Sequence, residues 1–280
     1  MLERLRSTWR RMCSPKVDAL ERRLASVETQ LELAEKFQVF AFWRGLDAIY
    51  DAKPGDELLR CIVCDHRGQR SGLTVHASNC IFGGGKLVRH ECPACGCIFG
   101  PQKFLDQSPE MIGLDYQLLY SRYKEGDTTT NEVRTFHSLA PTMGRAYVNW
   151  GPGAWNRTIE QLRGEGWDIW GFEPSAPAAA RYIVANKNAL PSAIDGLFSN
   201  NVIEHFADPV AQFSEFAALL RPGARMAHSS PCYVYRYEFT RFHTLFLLGQ
   251  APHILAARTG FKVIDRTTDG EYINVVFERL

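Results

Sequence analysis

Four cysteines come in two pairs, Cys61 and Cys64 in "CIVC" and Cys92 and Cys95 in "CPAC". A Cys-x-x-Cys on a tight turn aims both thiolates the same way, and two such turns supply four sulfurs at tetrahedral spacing for zinc. Gly96 permits the second turn. Four thiolates fill the coordination sphere, so a zinc here is structural; the competing readings are a redox pair or buried free thiols. Cys80 and Cys97 lie outside the spacing and read as small buried hydrophobes, and His66 and His90 are the substitutes at hand for a cysteine ligand. A second constellation is "YVNWGPGAWNR", an apolar run followed by Gly151-x-Gly153, with Glu173 next in "WGFEPS". Small residues let a nucleotide approach the backbone, and an acid about 20 residues on grips a ribose diol. Glu204 and His205 are adjacent, and an imidazole titrates near neutrality, so His205 is the better general base; the pair could instead only order its loop. "HSSPCYVYRYEFTRFHTLFLLG" then gathers aromatic rings with Arg236, Arg241 and His243. Rings cover apolar sugar faces and arginine forks onto anions, although the same residues would also suit a segment simply packed on the core.

These groups need a scaffold that brings them to one edge. From about residue 130 the chain alternates strands and helices: "RAYVNW" strand, "WNRTIEQLRGEG" helix, "WDIWGFE" strand, "SAPAAARYIVANK" helix, "DGLFSNN" strand, "DPVAQFSEFAALLRPG" helix, "ARMAHSS" strand, "APHILAARTG" helix. Asp208 reads as an N-cap, with Pro209 in the first turn and Gly223 beyond the end. Strands separated by helices make a mostly parallel sheet covered on both faces. The closing pair, "FKVIDRT" and "EYINVVFER", is joined by so short a turn that it must be antiparallel. Ligands bind beyond the carboxyl ends of such strands, where the glycine loop, Glu173 and the Glu204–His205 pair all fall.

Residues 145–279 resemble a class I S-adenosylmethionine-dependent methyltransferase. "VNWGPGAW" is similar to its glycine motif, "GFEPS" to its ribose-binding strand end, and "DGLFSNNVIEHFADPVAQFSEFAALLRPGARMAHSSP" to its fourth strand, helix and fifth strand in the branch with an N-V-x-E-H signature. The cysteine segment ahead of it resembles the sugar and polysaccharide methyltransferases of bacterial biosynthetic clusters. The resemblance implies an α/β, Rossmann-like methyltransferase sheet with a terminal antiparallel strand, preceded by a small zinc-ribbon-like segment; an N-terminal coiled-coil helix is expected ahead of both from the spacing of residues 17–42. It implies S-adenosylmethionine as cofactor, held by Asn149, Gly151, Gly153, Trp155, Glu173 and Asn200, structural zinc on the four cysteines, and catalysis by His205, Glu204 and His243. Arg236 and Arg241 are the expected acceptor contacts. Three features depart from the family pattern: Asn149 stands where Asp is usual, Trp155 stands at the third glycine, and the third strand is hard to find between Arg181 and Asp195, where Asn188 is the weak candidate for the adenine contact. The implied activity is methyl transfer to a sugar, nucleotide-sugar or related small metabolite, with a non-catalytic scaffold or assembly protein as the alternative.

Residues 17–42, "VDALERRLASVETQLELAEKFQVFAF", place Val17, Leu20, Leu24, Val27, Leu31 and Ala34 at steps of three and four. This heptad seam reads as a short coiled coil making a homo-oligomer, or as a helix folded on its own protein. Phe37, Phe40, Phe42 and Trp43 would dock its end. The expected domains are residues 1–52, 57–104 and 105–280. With net charge +1 the chain offers no large field, and no nucleic-acid partner is expected. Residues 1–12 read as the leading turns of the helix rather than a membrane contact. Paired cysteines without an export signal point to the cytoplasm.

Overall fold

The computed structural model describes residues 2–54, 56–121, 123, 126–153, 157–175 and 181–280, with side chains from residue 16 onward. The chain divides into two compact units, Met1–Ala52 with Gly83–Gly85, and Lys53–Phe82 with Lys86–Leu280. The first unit is built on one helix, α1 (Leu2–Asp51). At 1.5 Å per residue it is about 75 Å long. Val17, Leu20, Leu24, Val27 and Leu31 are each at least 47% exposed along it. Of the aromatic residues near its end, Trp43 is buried while Phe37 and Phe40 stay exposed. Among the described residues no helix is long and apolar enough to cross a membrane.

The second unit opens with the hairpin β1 (Leu58–Arg60) and β2 (Arg67–Gln69), then β3 (Thr74–Asn79), β4 (Lys86–Glu91) and β5 (Ile98–Phe99). The short helix α2 (Gln102–Leu105) leads to α3 (Pro109–Tyr120), which Ser108 caps by accepting from the Met111 N–H, and α4 (Thr129–Ser138) follows. The main sheet comes from β6 (Ala146–Trp150), β7 (Asp168–Phe172), β8 (Ile183–Val184), β9 (Ile194–Asn200), β10 (Leu220–Ser229), β12 (Phe261–Asp269) and β13 (Tyr272–Arg279). Between them lie α5 (Arg157–Gly164), α6 (Pro209–Leu219), the two-residue β11 (Leu245–Phe246) and α7 (Ala251–Thr259). The strand order is β12-β13-β10-β9-β6-β7-β8. The links among β10, β9, β6, β7 and β8 are parallel, and β13 runs antiparallel to both β10 and β12. Chain order reverses between β6 and β9, the crevice where such sheets bind ligands.

Two elements differ from the sequence reading. The helix expected over "SAPAAARYIVANK" is not what the described part forms: residues 176–180 lie outside the described residues, and from Arg181 the chain turns into β8. The branched pair Ile183–Val184 favours an edge strand, and the Gly171 N–H anchors it by donating to the Tyr182 carbonyl at 2.8 Å. This supplies the missing third strand. Helix α6 also ends earlier than expected. Leu220 already pairs with Ile194, and the ladder resumes at Arg225 after a register break. The residue before a proline avoids helical angles, and Arg221 precedes Pro222.

The cysteine segment shares one apolar core with the main sheet. Leu59, Val63, Ile98 and Phe99 belong to the same buried cluster as Val148, Trp150, Leu197 and Phe216. β5 also pairs with β11, so a strand from beyond residue 240 completes the sheet β11-β5-β4-β3.

His228 on β10 is fully buried, flanked by the rings of Phe213, Phe216 and Phe277, and shares a 2.8 Å hydrogen bond with Ser199 Oγ. Burial pushes its pKa down to about 3. As pH falls below ~6.5 the unfolded chain takes up a proton that the folded chain refuses until about pH 3, so the folded state loses stability across that window by about 1.4 kcal/mol per pH unit. Denaturant midpoints measured from pH 7 to 4 should fall more steeply for the parent than for His228→Leu; parallel slopes would refute this.

Candidate functional site

The glycine loop follows β6. Gly151 and Gly153 have φ of +74° and +76°, left-handed angles that favour glycine. Gly151 donates to the Phe172 carbonyl at 2.9 Å, tying the loop to the end of β7. A Cβ on Gly151 would lie 2.8 Å from Val202 Cγ2, so β9's following loop abuts this one. Among the described residues nothing lies within 4 Å of where a Gly153 side chain would begin. Glu173 closes the opposite side. Its Oε2 accepts from the Gly153 N–H at 3.3 Å, and Oε1 accepts from the Ser175 N–H at 3.1 Å and hydroxyl at 2.7 Å. Trp155, expected among the cofactor contacts, lies outside the described residues.

Asn149 is buried on β6, and its Nδ2 donates to Glu132 Oε2 at 2.6 Å. Glu132 comes from α4 and is itself buried; Thr128 Oγ1 donates to its other oxygen at 2.5 Å. A buried carboxylate from a neighbouring helix thus lies against residue 149. Sequence reading missed it because Thr129 with Glu132 three residues later has the look of a helix start. Asn200, at the end of β9, accepts from Ser229 Oγ at 2.7 Å, and Ser229 in turn accepts from Thr135 Oγ1 at 2.9 Å. Helix α4 therefore borders the site through both Glu132 and Thr135. Asn188 sits on an exposed turn held by the Asn186 side chain.

Glu204 and His205 occupy a short helical turn just after β9. Glu204 is 1% exposed; its Oε2 accepts from Ser230 Oγ at 2.8 Å, and its Oε1 has no hydrogen-bond partner. Burial pushes its carboxyl up to about 7, against the pull of the backbone and Ser230 hydrogen bonds. His205 Nδ1 lies 3.0 Å from the Phe242 carbonyl and 2.9 Å from the Tyr116 hydroxyl. A carbonyl only accepts, so Nδ1 carries the proton. His243 stacks edge-on at 5.0 Å between ring centroids. Its Nδ1 is buried without a partner, and burial, then His205, then Arg89 drive its pKa down to about 2. Tyr116 was not singled out in the sequence; it was one of three tyrosines on a helix without a motif.

The segment after β10 is pinned from two sides. Arg89 on β4 is fully buried and donates to the carbonyls of Glu238, Thr240 and His243 at 2.6–3.1 Å. Arg241, expected as an acceptor contact, is instead 2% exposed and clamps Asp115 of α3 with two bonds of 2.6 and 2.5 Å, plus the Phe82 carbonyl at 2.9 Å. Its fork is filled by the protein, because an arginine out of water requires a paired anion. Arg236 is exposed, beside exposed Tyr237 and Phe239.

The four paired cysteines converge. Sγ–Sγ distances are 3.7 Å for Cys61–Cys95 and 3.5 Å for Cys64–Cys92. Zinc–sulfur bonds of about 2.3 Å in a tetrahedron require about 3.8 Å between sulfurs. Both turns close on the backbone, with Asp65 N–H donating to the Cys61 carbonyl at 3.2 Å and Gly96 N–H to the Cys92 carbonyl at 2.8 Å. The donor set fits a closed metal centre. Cys97 is buried next to it, and its N–H donates to Cys95 Sγ at 3.5 Å; Cys80 lies beside Arg241.

Residues 150–265 match a family model described as a methyltransferase domain. A search of curated proteins finds no match. Similar solved structures include the Burkholderia thailandensis 1,6-didemethyltoxoflavin-N1-methyltransferase with bound 1,6-didemethyltoxoflavin and S-adenosylhomocysteine, at 15% identity over 69% of this chain and 95% of that one, TM-score 0.48. A Haloferax volcanii complex of the Trm112 methyltransferase activator with a methyltransferase matches at 12% identity over 61% and 95%, TM-score 0.45. The glycopeptide N-methyltransferase MtfA complexed with S-adenosyl-L-homocysteine matches at 16% over 62% and 98%, TM-score 0.41. With its glycine loop at the switch point and β13 turned antiparallel between β10 and β12, the chain has a Rossmann-like methyltransferase fold.

Proposed function

We propose that this protein transfers a methyl group from S-adenosylmethionine to a small, sugar-containing acceptor. The observation that carries the reading is the meeting of the Gly153 N–H and the Glu173 carboxylate across the glycine loop, at the switch point of the sheet. When bound, the cofactor supplies an electrophilic methyl on a sulfonium. Glu173 would exchange its Gly153 contact for a ribose diol, while Gly151 and Gly153 keep the backbone open to approach. Glu132, joined to Asn149, would face the methionine ammonium. Asn200 would complete the cofactor side. Glu204 and His205, just after β9, with His243 against His205, would deal with the acceptor's proton. Arg236 with Tyr237 and Phe239 offers a cation and two rings to a sugar. The cysteine centre would hold a structural zinc.

Calorimetric titration of the full chain with S-adenosylmethionine tests the central claim. A micromolar dissociation constant is expected, weakened about 10–100-fold in Glu173→Ala, the scale of lost hydrogen bonds to a charged group. No heat at millimolar cofactor would overturn the reading and favour a non-catalytic scaffold.

The exposed seam on α1 would bury itself against further copies of the same helix. Sedimentation should show a homo-oligomer for the parent and a monomer for the double variant Leu24→Glu, Leu31→Glu. A monomeric parent removes the proposal.

A further inference from the structure

We propose that Glu204, His205 and His243 bind a zinc-class divalent cation, forming a second metal site separate from the four cysteines. One carboxylate oxygen and one nitrogen from each ring all lie within 4.8 Å of one another. Tetrahedral zinc with nitrogen and oxygen ligands needs about 3.3 Å between them, so closure asks for side-chain movements of no more than about 1.5 Å.

The chemistry of each donor points the same way. Glu204 Oε1 is buried without a hydrogen-bond partner, while Ser230 holds the other oxygen and so fixes the carboxylate plane. A buried carboxylate oxygen left unpaired is costly, and a cation removes that cost. His243 Nδ1 is likewise buried without a partner. His205 donates from Nδ1 to the Phe242 carbonyl, so ligation by this ring falls to Nε2. A backbone carbonyl fixing one nitrogen while the other ligates is the usual support of a metal-bound histidine. Arg89 acts on His243 and opposes a cation, and its guanidinium is shared among the Glu238, Thr240 and His243 carbonyls. Imidazoles with one carboxylate suit zinc and neighbouring first-row ions.

Three protein ligands leave at least one coordination position open. Glu204 is buried and both histidines are partly exposed. An acceptor oxygen bound there would lose its proton more readily, since a bound dication lowers the pKa of an attached hydroxyl. This use of the site rests on the methyltransferase reading; the binding of the ion does not.

The test counts metal. Full chain equilibrated with excess zinc and dialysed into metal-free buffer should retain two zinc ions per chain. His243→Gln and Glu204→Gln should each retain one. A parent with one ion, or variants with two, overturns the proposal. Should the variants fail to fold, parent crystals soaked in zinc chloride decide the matter: anomalous scattering at the zinc edge should show a peak bonded to Glu204 and His243, and a peak at the cysteines alone overturns the site. Neither readout involves S-adenosylmethionine. Failure of the cofactor titration with two zinc ions present would therefore sink the methyl-transfer reading and leave the metal site standing.

Discussion

Cys92→Ser should retain one fewer zinc per chain than the parent and melt at least ~10 °C lower. Metal analysis and a thermal scan check both. A hydroxyl is a poor zinc ligand, and binding free energy at a structural zinc is folding free energy. A loss of about 3 kcal/mol or more corresponds to roughly 10 °C for a domain of this size. The damage should not stay local. Cys95 bonds its carbonyl to the Gln250 N–H at 2.9 Å, and a Cβ on Gly96 would come within 3.2 Å of Gly249, so the second turn seats the start of α7. Arg258 of α7 in turn reaches Asp65 and the Val63 carbonyl beside the first turn. Between the pairs, β4 carries Arg89, which positions residues 238–243 and with them His243. Loss of zinc should therefore also weaken metal retention at Glu204 and the two histidines. An unchanged melting curve with full zinc content would show that the sulfurs are not ligands.

Asn149→Asp should harm the protein although it restores the family's usual residue. The new carboxylate would face Glu132 Oε2 across 2.6 Å, in a place where both groups are buried. Two carboxylates this close must share a proton or separate, and a buried pair set against itself costs about 3 kcal/mol. The loss should be largest at alkaline pH and shrink in acid, where a proton bridges the oxygens. Glu132→Gln completes the comparison. It leaves the packing in place and removes the charge, so S-adenosylmethionine affinity should fall about 10–100-fold with little change in melting. The double variant Asn149→Asp, Glu132→Gln exchanges the two groups and should recover both properties. If Asn149→Asp alone binds cofactor and melts like the parent, the carboxylate at position 132 has no such role.

What could be read from the sequence was what local spacing encodes. The two Cys-x-x-Cys turns, the glycine loop with Glu173 one strand later, and the alternation of strands and helices are all short-range patterns. What escaped was pairing across distance. Arg89 meets carbonyls about 150 residues away, and Tyr116 meets His205 from 89 residues away. No periodicity announces such contacts, because they exist only once the sheets are assembled. Arg241 misled for the same reason. Its type suited an anionic acceptor, yet Asp115, which neutralises it, sits 126 residues earlier. The third strand was lost because two residues suffice when β7 supplies the partner. Glu132 was hidden by a pattern that helices use for their own starts.

The pairing of β5 with β11 has a consequence for how such a protein can change by recombination. The segment that carries Arg241 and His243 is stitched to the cysteine ribbon, through Arg89 and through that short pairing, rather than to the strands that carry the glycine loop. A crossover that exchanged only the portion after the ribbon would inherit the cofactor apparatus but part His243 from its brace. The segment around His243 and the cysteine hairpins should thus be inherited together.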